Sequence, residues 1–271
     1  MDKLFHRWFR IPYTLHVTKF QSPRRPKATF VLIHGIGNSA RAWDKLVTLL
    51  PDDVRVIGID LLGFGKSPKP GWAVYDAKRQ AQSVAATLLK MRLSQRPILV
   101  GHSLGSLVSV EVAKRYPFLP KQLILCSPPF YKDTLAKRKL LQRDELLRTL
   151  YRRINKSPQT LQSLTPLIQK LKLANKSYDL NSGNVDAYVA ALEASIVNQT
   201  ALVDAADLKL PVRILYGTLD PVVISSNIQM LAKDKPNITT KKIVTGHEIT
   251  GRYTKIVANE MTNVVFESGR K

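Results

Sequence analysis

Ser103 is the residue of this chain whose surroundings most clearly favour chemistry. It is the centre of the run Gly-His-Ser-Leu-Gly, between Gly101 and Gly105, which follows the apolar residues 97–100 and leads into a helical stretch at residues 104–116. Between a strand and a helix, this pattern is typical of a sharp turn that exposes a serine hydroxyl as a nucleophile. We expect glycine on both sides because a Cβ there would collide with the neighbouring strand and helix.

A serine hydroxyl at neutral pH needs a base, usually an imidazole that a carboxylate orients. His247 is the single histidine after Ser103, and it follows the alternating apolar run 238–244, which predicts a late strand. Asp220 follows the apolar run 212–217 and a short loop, which places it at the carboxyl edge of a sheet. Asp220-Pro221 is also a common turn initiator, and both interpretations can hold together.

Other carboxylates fit the role of the acid less well. The preceding apolar run, residues 123–126, is followed by Ser127 and two prolines, so no carboxylate is available there. Glu248 adjoins His247 in the chain, and an adjacent side chain is poorly placed to orient the imidazole ring. We therefore assign the acid to Asp220.

Acyl transfer also needs backbone N–H groups that stabilise the charge developing on the carbonyl oxygen. The N–H of Leu104, directly after the nucleophile, is one predicted donor. Residues 29–33 form an apolar run that ends in His34-Gly35-Ile36-Gly37, and the N–H of Ile36 is the second predicted donor. His34 and Gly35 are expected to shape this turn rather than to react. A dinucleotide site is excluded here because the third glycine of its fingerprint is missing.

In this order, the motifs resemble those of the α/β-hydrolase fold superfamily, in its carboxylesterase- and lipase-like serine hydrolase branch with a cap insertion. The resemblance covers nearly the whole chain and rests on His34-Gly35, residues 60–67, residues 101–105, Asp220 and His247. It implies a mostly parallel central sheet with helices on both faces, and chemistry without a cofactor or a metal. It also implies a structural role for residues 60–67. The serine argues against the epoxide hydrolase and haloalkane dehalogenase branches, which use aspartate at that position.

The elements that must position these residues alternate between apolar runs and helical stretches, which predicts an α/β fold with a parallel sheet. A chain of 271 residues suits one large domain. We expect the hydrolase core at residues 1–129 and 209–271, and an inserted helical cap, or lid, at residues 130–208. Residues 10–20 and 27–33 are predicted to form an antiparallel entry pair.

The charge of the chain is unusually positive. Lysine and arginine total 42 against 20 aspartates and glutamates, a net charge of +22. Such a field attracts anions, anionic membranes and nucleic acid. Many of the basic residues lie at 131–176, without a recognisable nucleic-acid-binding module. Two interpretations stay open: solvated faces of cap helices, or a cap that recruits acidic substrates or a lipid surface. We expect an ester or acyl substrate, anionic or lipid-like under the second interpretation, with peripheral contact to an anionic membrane and no specific nucleic acid.

The compartment is predicted from cysteine usage and from the apolar runs. Cys126 is the single cysteine and lies in a predicted strand, so an intrachain disulfide is excluded. No apolar run approaches the roughly 20 residues of a membrane span. Residues 1–10 are basic and aromatic but lack the apolar centre of a signal peptide. These features predict a cytoplasmic protein.

Three functions remain open on the sequence. The first is hydrolysis of a carboxylic ester or thioester through an acyl-enzyme on Ser103. The second is carbon–carbon bond hydrolysis of diketone-like acids with the same three residues. The third is a non-catalytic ligand receptor, because a fold alone does not establish activity.

Overall fold

A single sheet organises the part of the chain that the computed structural model describes, residues 2–131, 185–197, 199–233 and 235–268. Within these residues the sheet has seven strands in the order β1-β3-β2-β4-β5-β6-β7. The strands are β1 (Val17–Gln21), β2 (Thr29–Ile33), β3 (Arg55–Ile59), β4 (Ile98–His102), β5 (Gln122–Cys126), β6 (Val212–Gly217) and β7 (Ile238–Ile243). β1 is antiparallel to β3, and every other pair is parallel. The predicted α/β class with a mostly parallel sheet is confirmed.

The central strands are buried on both faces. In β2, Val31 and Ile33 face one apolar cluster, whereas Phe30 and Leu32 face a second cluster on the opposite side. Successive side chains of a strand point to opposite faces, so each face of the sheet needs its own cover. This double burial explains why the central strands read as continuous apolar runs rather than as alternating ones.

Helices supply that cover on both faces, as predicted. They are α1 (Asp44–Val47), α2 (Ala77–Met91), α3 (Leu104–Arg115), α4 (Val185–Ala191), α5 (Ala201–Asp207), α6 (Ser225–Lys233) and α7 (Arg252–Ser268), with a 3₁₀ turn at Ala40–Trp43 and π-helical turns at Lys3–Trp8 and Leu192–Val197. Apolar residues of α2, α3, α5 and α6 join the first cluster. Those of α1 and α7 join the second. α2 begins after Asp76, whose carboxylate accepts the N–H of Arg79 at 2.7 Å.

The predicted antiparallel entry pair is wrong. β1 pairs with β3, with Val17 opposite Ile59, whereas β2 lies between β3 and β4. β2 is buried along its whole length and therefore takes a central place in the sheet. No residue of β1 is fully buried, which suits the edge of the sheet. β1 and β2 therefore follow each other in the chain but do not pair in the sheet.

Residues 132–184 of the predicted cap lie outside the described residues. The end of the predicted cap is described and is helical, with α4, the turn Leu192–Val197 and α5. Ala201, Leu202 and Ala205 of α5 are buried in the first cluster, which also contains residues of α3.

Two further expectations concern Cys126 and membrane spans. Cys126 is a free thiol buried at the end of β5, and its burial raises the pKa of the thiol. Among the described residues, no helix combines the length and the apolar character that crossing a bilayer requires.

Candidate active site

Ser103 occupies a strained turn between β4 and α3. Its backbone has φ 51° and ψ −116°, a combination that few residues other than glycine adopt. A Cβ at Gly101 would overlap the backbone of Gly105, in the first turn of α3. A Cβ at Gly105 would overlap the carbonyl oxygen of Ile33, at the end of β2. The structure therefore leaves no room for a Cβ at either glycine, as the sequence predicts. This close packing holds the start of α3 against β4 and β2.

The turn after β2 lies directly over Ser103. A Cβ on Gly35 would come within 3.3 Å of the Ser103 Cβ and 3.0 Å of the His102 Nδ1. The absence of a side chain at Gly35 lets the backbone of this turn approach the serine. Gly37, with φ 73°, continues the turn in a conformation that favours glycine.

His34 holds that turn through its ring. Nε2 accepts the N–H of Leu61 at 2.9 Å, and Nδ1 donates to the carbonyl oxygen of Gly35 at 2.7 Å. The pattern fits a neutral ring, with one nitrogen as acceptor and one as donor. Complete burial lowers the pKa of His34 to about 4. The ring therefore ties the turn after β2 to the loop after β3.

The loop at residues 60–67 is held by Asp60. Its carboxylate accepts the N–H of Ala40 at 2.7 Å and that of Lys66 at 2.8 Å. A Cβ on Gly65 would overlap this carboxylate. These bonds lie within the loop and its neighbours, which agrees with the structural role that the resemblance implies.

Asp220 and His247 are in direct contact. The Nδ1 of His247 lies 2.7 Å from Oδ2 of Asp220. The side chain of Asp220 is fully buried, and that of His247 is 17% exposed. Because a carboxylate only accepts hydrogen bonds, Nδ1 carries the proton of the neutral ring and Nε2 keeps a free lone pair. A general base that accepts a proton at Nε2 requires this tautomer.

The carboxylate of Asp220 is prepared to stay ionised. Burial by itself raises its pKa, but the hydrogen bond from His247 and the N–H of Val222, at 2.8 Å from Oδ1, outweigh that effect and hold the pKa of Asp220 below its usual value. A bond from Ser127 acts in the same direction. Asp220 therefore does both things that the sequence allows: one carboxylate oxygen accepts a turn N–H, and the other contacts His247.

His102 links the serine turn to the histidine loop, a role that the sequence did not suggest. Its Nε2 donates to the carbonyl oxygen of His247 at 3.0 Å, and the two rings lie 5.1 Å apart between centroids. Burial lowers the pKa of His102, which favours the neutral ring. His102 directly precedes Ser103, so this bond brings His247 beside the serine turn. The hydroxyl of Ser103 has no hydrogen-bond partner within the described part of the chain.

The two predicted oxyanion donors belong to the serine turn and to the turn after β2 that packs on it. Leu104 is the first residue of α3, so its N–H has no acceptor within the helix. Ile36 follows Gly35 in the turn packed on Ser103, and among the described residues its N–H has no backbone acceptor. Neither N–H group therefore has a backbone acceptor in this part of the structure, as the prediction of two oxyanion donors requires.

One group of possible metal ligands includes the base itself. His102, His247 and Glu248 have donor atoms within 4.8 Å of one another. Nδ1 of His247 is bonded to Asp220, and Nε2 is the nitrogen that the predicted base would use. A cation bound through either nitrogen would remove His247 from acid–base work. We therefore assign no metal to the chemistry of this site.

A family model matches most of the chain. The model described as "alpha/beta hydrolase fold" covers residues 28–250. This range includes β2 to β7, the turn after β2, the serine turn, Asp220 and His247.

Similar proteins include several hydrolases. A probable lysophospholipase, BODYGUARD 4 of Arabidopsis thaliana, is 30% identical over 116 residues, which are 42% of this chain and 28% of that protein. The match thus spans little more than a quarter of this plant relative. The pimeloyl-[acyl-carrier protein] methyl ester esterase of Pseudoalteromonas atlantica is 32% identical over 208 residues, 72% of this chain and 76% of that protein. In structure, the enol-lactonase of Burkholderia xenovorans LB400 matches with a TM-score of 0.71 and 17% identity, over 93% of this chain and 96% of that one.

Proposed function

Because the chain belongs to the alpha/beta hydrolase fold family, we propose that it is a serine hydrolase that cleaves carboxylic esters or thioesters through an acyl-enzyme on Ser103. The observation that carries the proposal is the 2.7 Å bond between His247 Nδ1 and Asp220, on a loop that is hydrogen-bonded to His102, the residue before Ser103. A strained serine beside a histidine with a free Nε2 is the arrangement that nucleophilic catalysis requires.

In the first half-reaction, Oγ of Ser103 attacks the carbonyl carbon of the substrate while Nε2 of His247 takes the hydroxyl proton. Asp220 stays ionised and stabilises the imidazolium through Nδ1. The oxygen of the tetrahedral intermediate carries the negative charge, and the N–H groups of Ile36 and Leu104 donate to it. The intermediate collapses when the bond to the leaving alcohol or thiol breaks, and His247 returns the proton to that leaving group.

In the second half-reaction, water replaces the leaving group. His247 removes a proton from the water as its oxygen attacks the acyl carbon, and the same two N–H groups stabilise the second tetrahedral intermediate. Collapse releases the carboxylic acid and returns the proton to Oγ of Ser103. The cycle consumes one water and needs no cofactor.

The substrate class is proposed to be the ester of an acyl chain. Two relatives support this choice by name, one a probable lysophospholipase and one a methyl ester esterase acting on an acyl chain held by a carrier protein. The net charge of +22 favours substrates that carry negative charge, because a positive field raises the rate at which anions arrive.

The remaining assignments belong to the same proposal. Residues 130–208 act as the cap that closes over the acyl chain and excludes water, between core segments at residues 1–129 and 209–271. The cytoplasm is the proposed compartment, and the lone free thiol of Cys126 supports it because structural disulfides are rare there.

A series of p-nitrophenyl esters from acetyl to long acyl chains tests the proposal. We expect turnover by the wild type and loss of turnover in Ser103→Ala, with an optimum chain length that measures the acyl pocket. Ser109→Ala is the matched control, because Ser109 lies in the same helix with its hydroxyl on the carbonyl oxygen of Gly105. The proposal would be contradicted if folded wild-type protein hydrolysed none of the esters, or if Ser103→Ala hydrolysed them as fast as the wild type.

A further inference from the structure

The N-terminal segment turns its apolar side chains towards solvent. We call residues 3–11 the N-terminal hook; it comprises the π-helical turn Lys3–Trp8 and the three residues after it. Its large apolar side chains are all exposed, with 43–78% of each residue accessible: Leu4, Phe5, Trp8, Phe9 and Ile11. Within the hook no residue is buried. The hook therefore gains no stability from covering these side chains.

Polar groups hold the hook to the core instead. The carboxylate of Asp2 accepts the hydroxyl of Tyr13 at 2.9 Å and the indole N–H of Trp72 at 3.1 Å. The ring of His6 stacks on Tyr13 with centroids 3.6 Å apart, and its Nδ1 donates to the carbonyl oxygen of Ile11 at 2.7 Å. Asp2 and His6 are four residues apart and lie on the inner face. A surface helix normally buries its apolar side, whereas the apolar side chains of the hook stay exposed.

The outer face of the hook is positive as well as apolar. Lys3, Arg7 and Arg10 are exposed between the apolar residues. Asp2, which directly precedes the hook, is bonded to Tyr13 and Trp72. Nothing acidic in residues 3–11 therefore offsets these three positive charges.

We propose that the N-terminal hook docks the protein on the surface of an anionic lipid bilayer. Tryptophan and phenylalanine side chains favour the boundary between headgroups and acyl chains, and lysine and arginine are attracted to anionic headgroups. Interleaved basic and apolar side chains suit this boundary better than the centre of a protein–protein interface, where lysine is depleted. They also suit it better than nucleic acid, since phosphates offer nothing to Leu4 and Ile11.

The proposal stands apart from the chemistry of Ser103. His6 of the hook contacts Tyr13 and the side chain of Arg79, whose Nη1 lies 3.5 Å from the carbonyl oxygen of His6. Asp2, directly before the hook, contacts Trp72. None of these residues belongs to the proposed catalytic machinery. The sequence directs attention to the basic residues at 131–176 for a lipid surface, whereas the structure points to residues 3–11, at the N-terminus.

Co-sedimentation with lipid vesicles tests the proposal. Full-length protein is mixed with vesicles of phosphatidylcholine alone or of phosphatidylcholine and phosphatidylglycerol in equal parts. We expect binding to the second kind only, weakening as salt rises. Trp8→Ala/Phe9→Ala should weaken that binding about tenfold or more. Lys3→Gln/Arg7→Gln should weaken it about fivefold for each charge removed, thus about twenty-fivefold.

Two control double variants elsewhere on the surface distinguish binding by the hook from non-specific binding through exposed aromatic rings or through the net positive charge. Phe118→Ala/Phe266→Ala removes two aromatic rings of residues that are 60% and 65% exposed, and Lys45→Gln/Lys90→Gln removes two exposed charges. Both controls should bind within about twofold of the wild type, since their side chains lie outside the hook. Binding by the hook variants equal to that of the controls would overturn the proposal. So would a wild-type dimer that the hook variants convert to monomer without any vesicle binding, because the hook would then cover a second copy of this chain.

Discussion

The two sides of the candidate site are positioned by different forces. On the serine side, backbone packs on backbone: a Cβ at Gly105 has no room against Ile33, and His34 is completely buried. On the histidine side, a Cβ at Gly246 would meet nothing within 4 Å, and His247 is held by hydrogen bonds to Asp220 and His102. On the serine side the close packing reaches the catalytic turn itself. On the histidine side it stops at Gly217, where an added Cβ would overlap the carbonyl oxygen of Thr245, and the His247 residue beyond it is held by two polar contacts.

This difference suits the two proposed roles, of Ser103 as nucleophile and of His247 as base. A nucleophile at a strained turn must not relax, so steric contacts on both sides of Ser103 keep its backbone at φ 51°. A base must serve first the serine hydroxyl, then the leaving group, and then water, so small rotations of its ring are useful. Hydrogen bonds at Nδ1 and at the backbone carbonyl leave Nε2 of His247 free for this exchange.

The largest expected effect tests the polar contacts. Asp220→Asn should lower kcat for a p-nitrophenyl ester by about 10⁴-fold, because an amide can stabilise the wrong tautomer of His247 and cannot balance the imidazolium charge. Asp207→Asn, at an exposed aspartate of α5, is the control and should keep wild-type kcat. A loss in Asp220→Asn of less than tenfold would remove Asp220 from the acid role.

The steric side is tested by a pair of glycine substitutions. Gly105→Ala should lower the free energy of unfolding by about 3 kcal/mol or more, because the backbone of β2 or of α3 must move. Gly246→Ala places the same methyl group in open space on the histidine loop and should change stability by about 0.5 kcal/mol or less. Urea unfolding of both variants provides the measurement, and equal losses would contradict the contrast between the two sides.

The burial of His34 on the serine side should make the free energy of unfolding depend on pH. Its pKa is about 4 in the folded protein against an ordinary 6.5, so the unfolded chain binds the proton first as pH falls. The contribution of His34 to the free energy of unfolding is therefore at its maximum above pH 6.5. It falls by about 3 kcal/mol as the pH falls from about 6.5 to 4. His34→Gln cannot titrate, so its unfolding free energy should fall less than that of the wild type over this window. Parallel pH profiles for the two proteins would contradict the assignment.

The smallest effect concerns the positioning residue His102. His102→Ala removes the donor to the carbonyl oxygen of His247 and should lower kcat about tenfold, with KM nearly unchanged. His102→Gln offers an N–H donor near the position of Nε2 and should restore most of kcat. If the glutamine variant is no better than the alanine variant, or if KM alone changes, His102 does not position the base.

The sequence predicts the serine side well because packing imposes strict residue types. Gly101 and Gly105 are each required by a collision and so mark the turn that holds Ser103, and the predicted helix at residues 104–116 differs from α3 by one residue. Steric rules of this kind act over a few residues and so leave a pattern in the chain.

The histidine side and the edge of the sheet are less predictable. His247 could be found only from the order of residues, since its contacts with Asp220 and His102 span 27 and 145 positions. The pairing of β1 with β3 rather than β2 depends on which strand the whole sheet buries most. The N-terminal hook was visible as basic and aromatic, but which side chains face outwards depends on the bonds of Asp2 to Tyr13 and Trp72.

Covalent labelling with a fluorophosphonate tests the central claim, that Ser103 is an activated nucleophile. Intact mass and peptide mapping should show one adduct per chain, on Ser103, formed by the wild type and lost in Ser103→Ala with the fold intact. Asp220→Asn should form the same adduct much more slowly. Labelling of Ser103→Ala at the wild-type rate, or an adduct on another residue, would contradict the account.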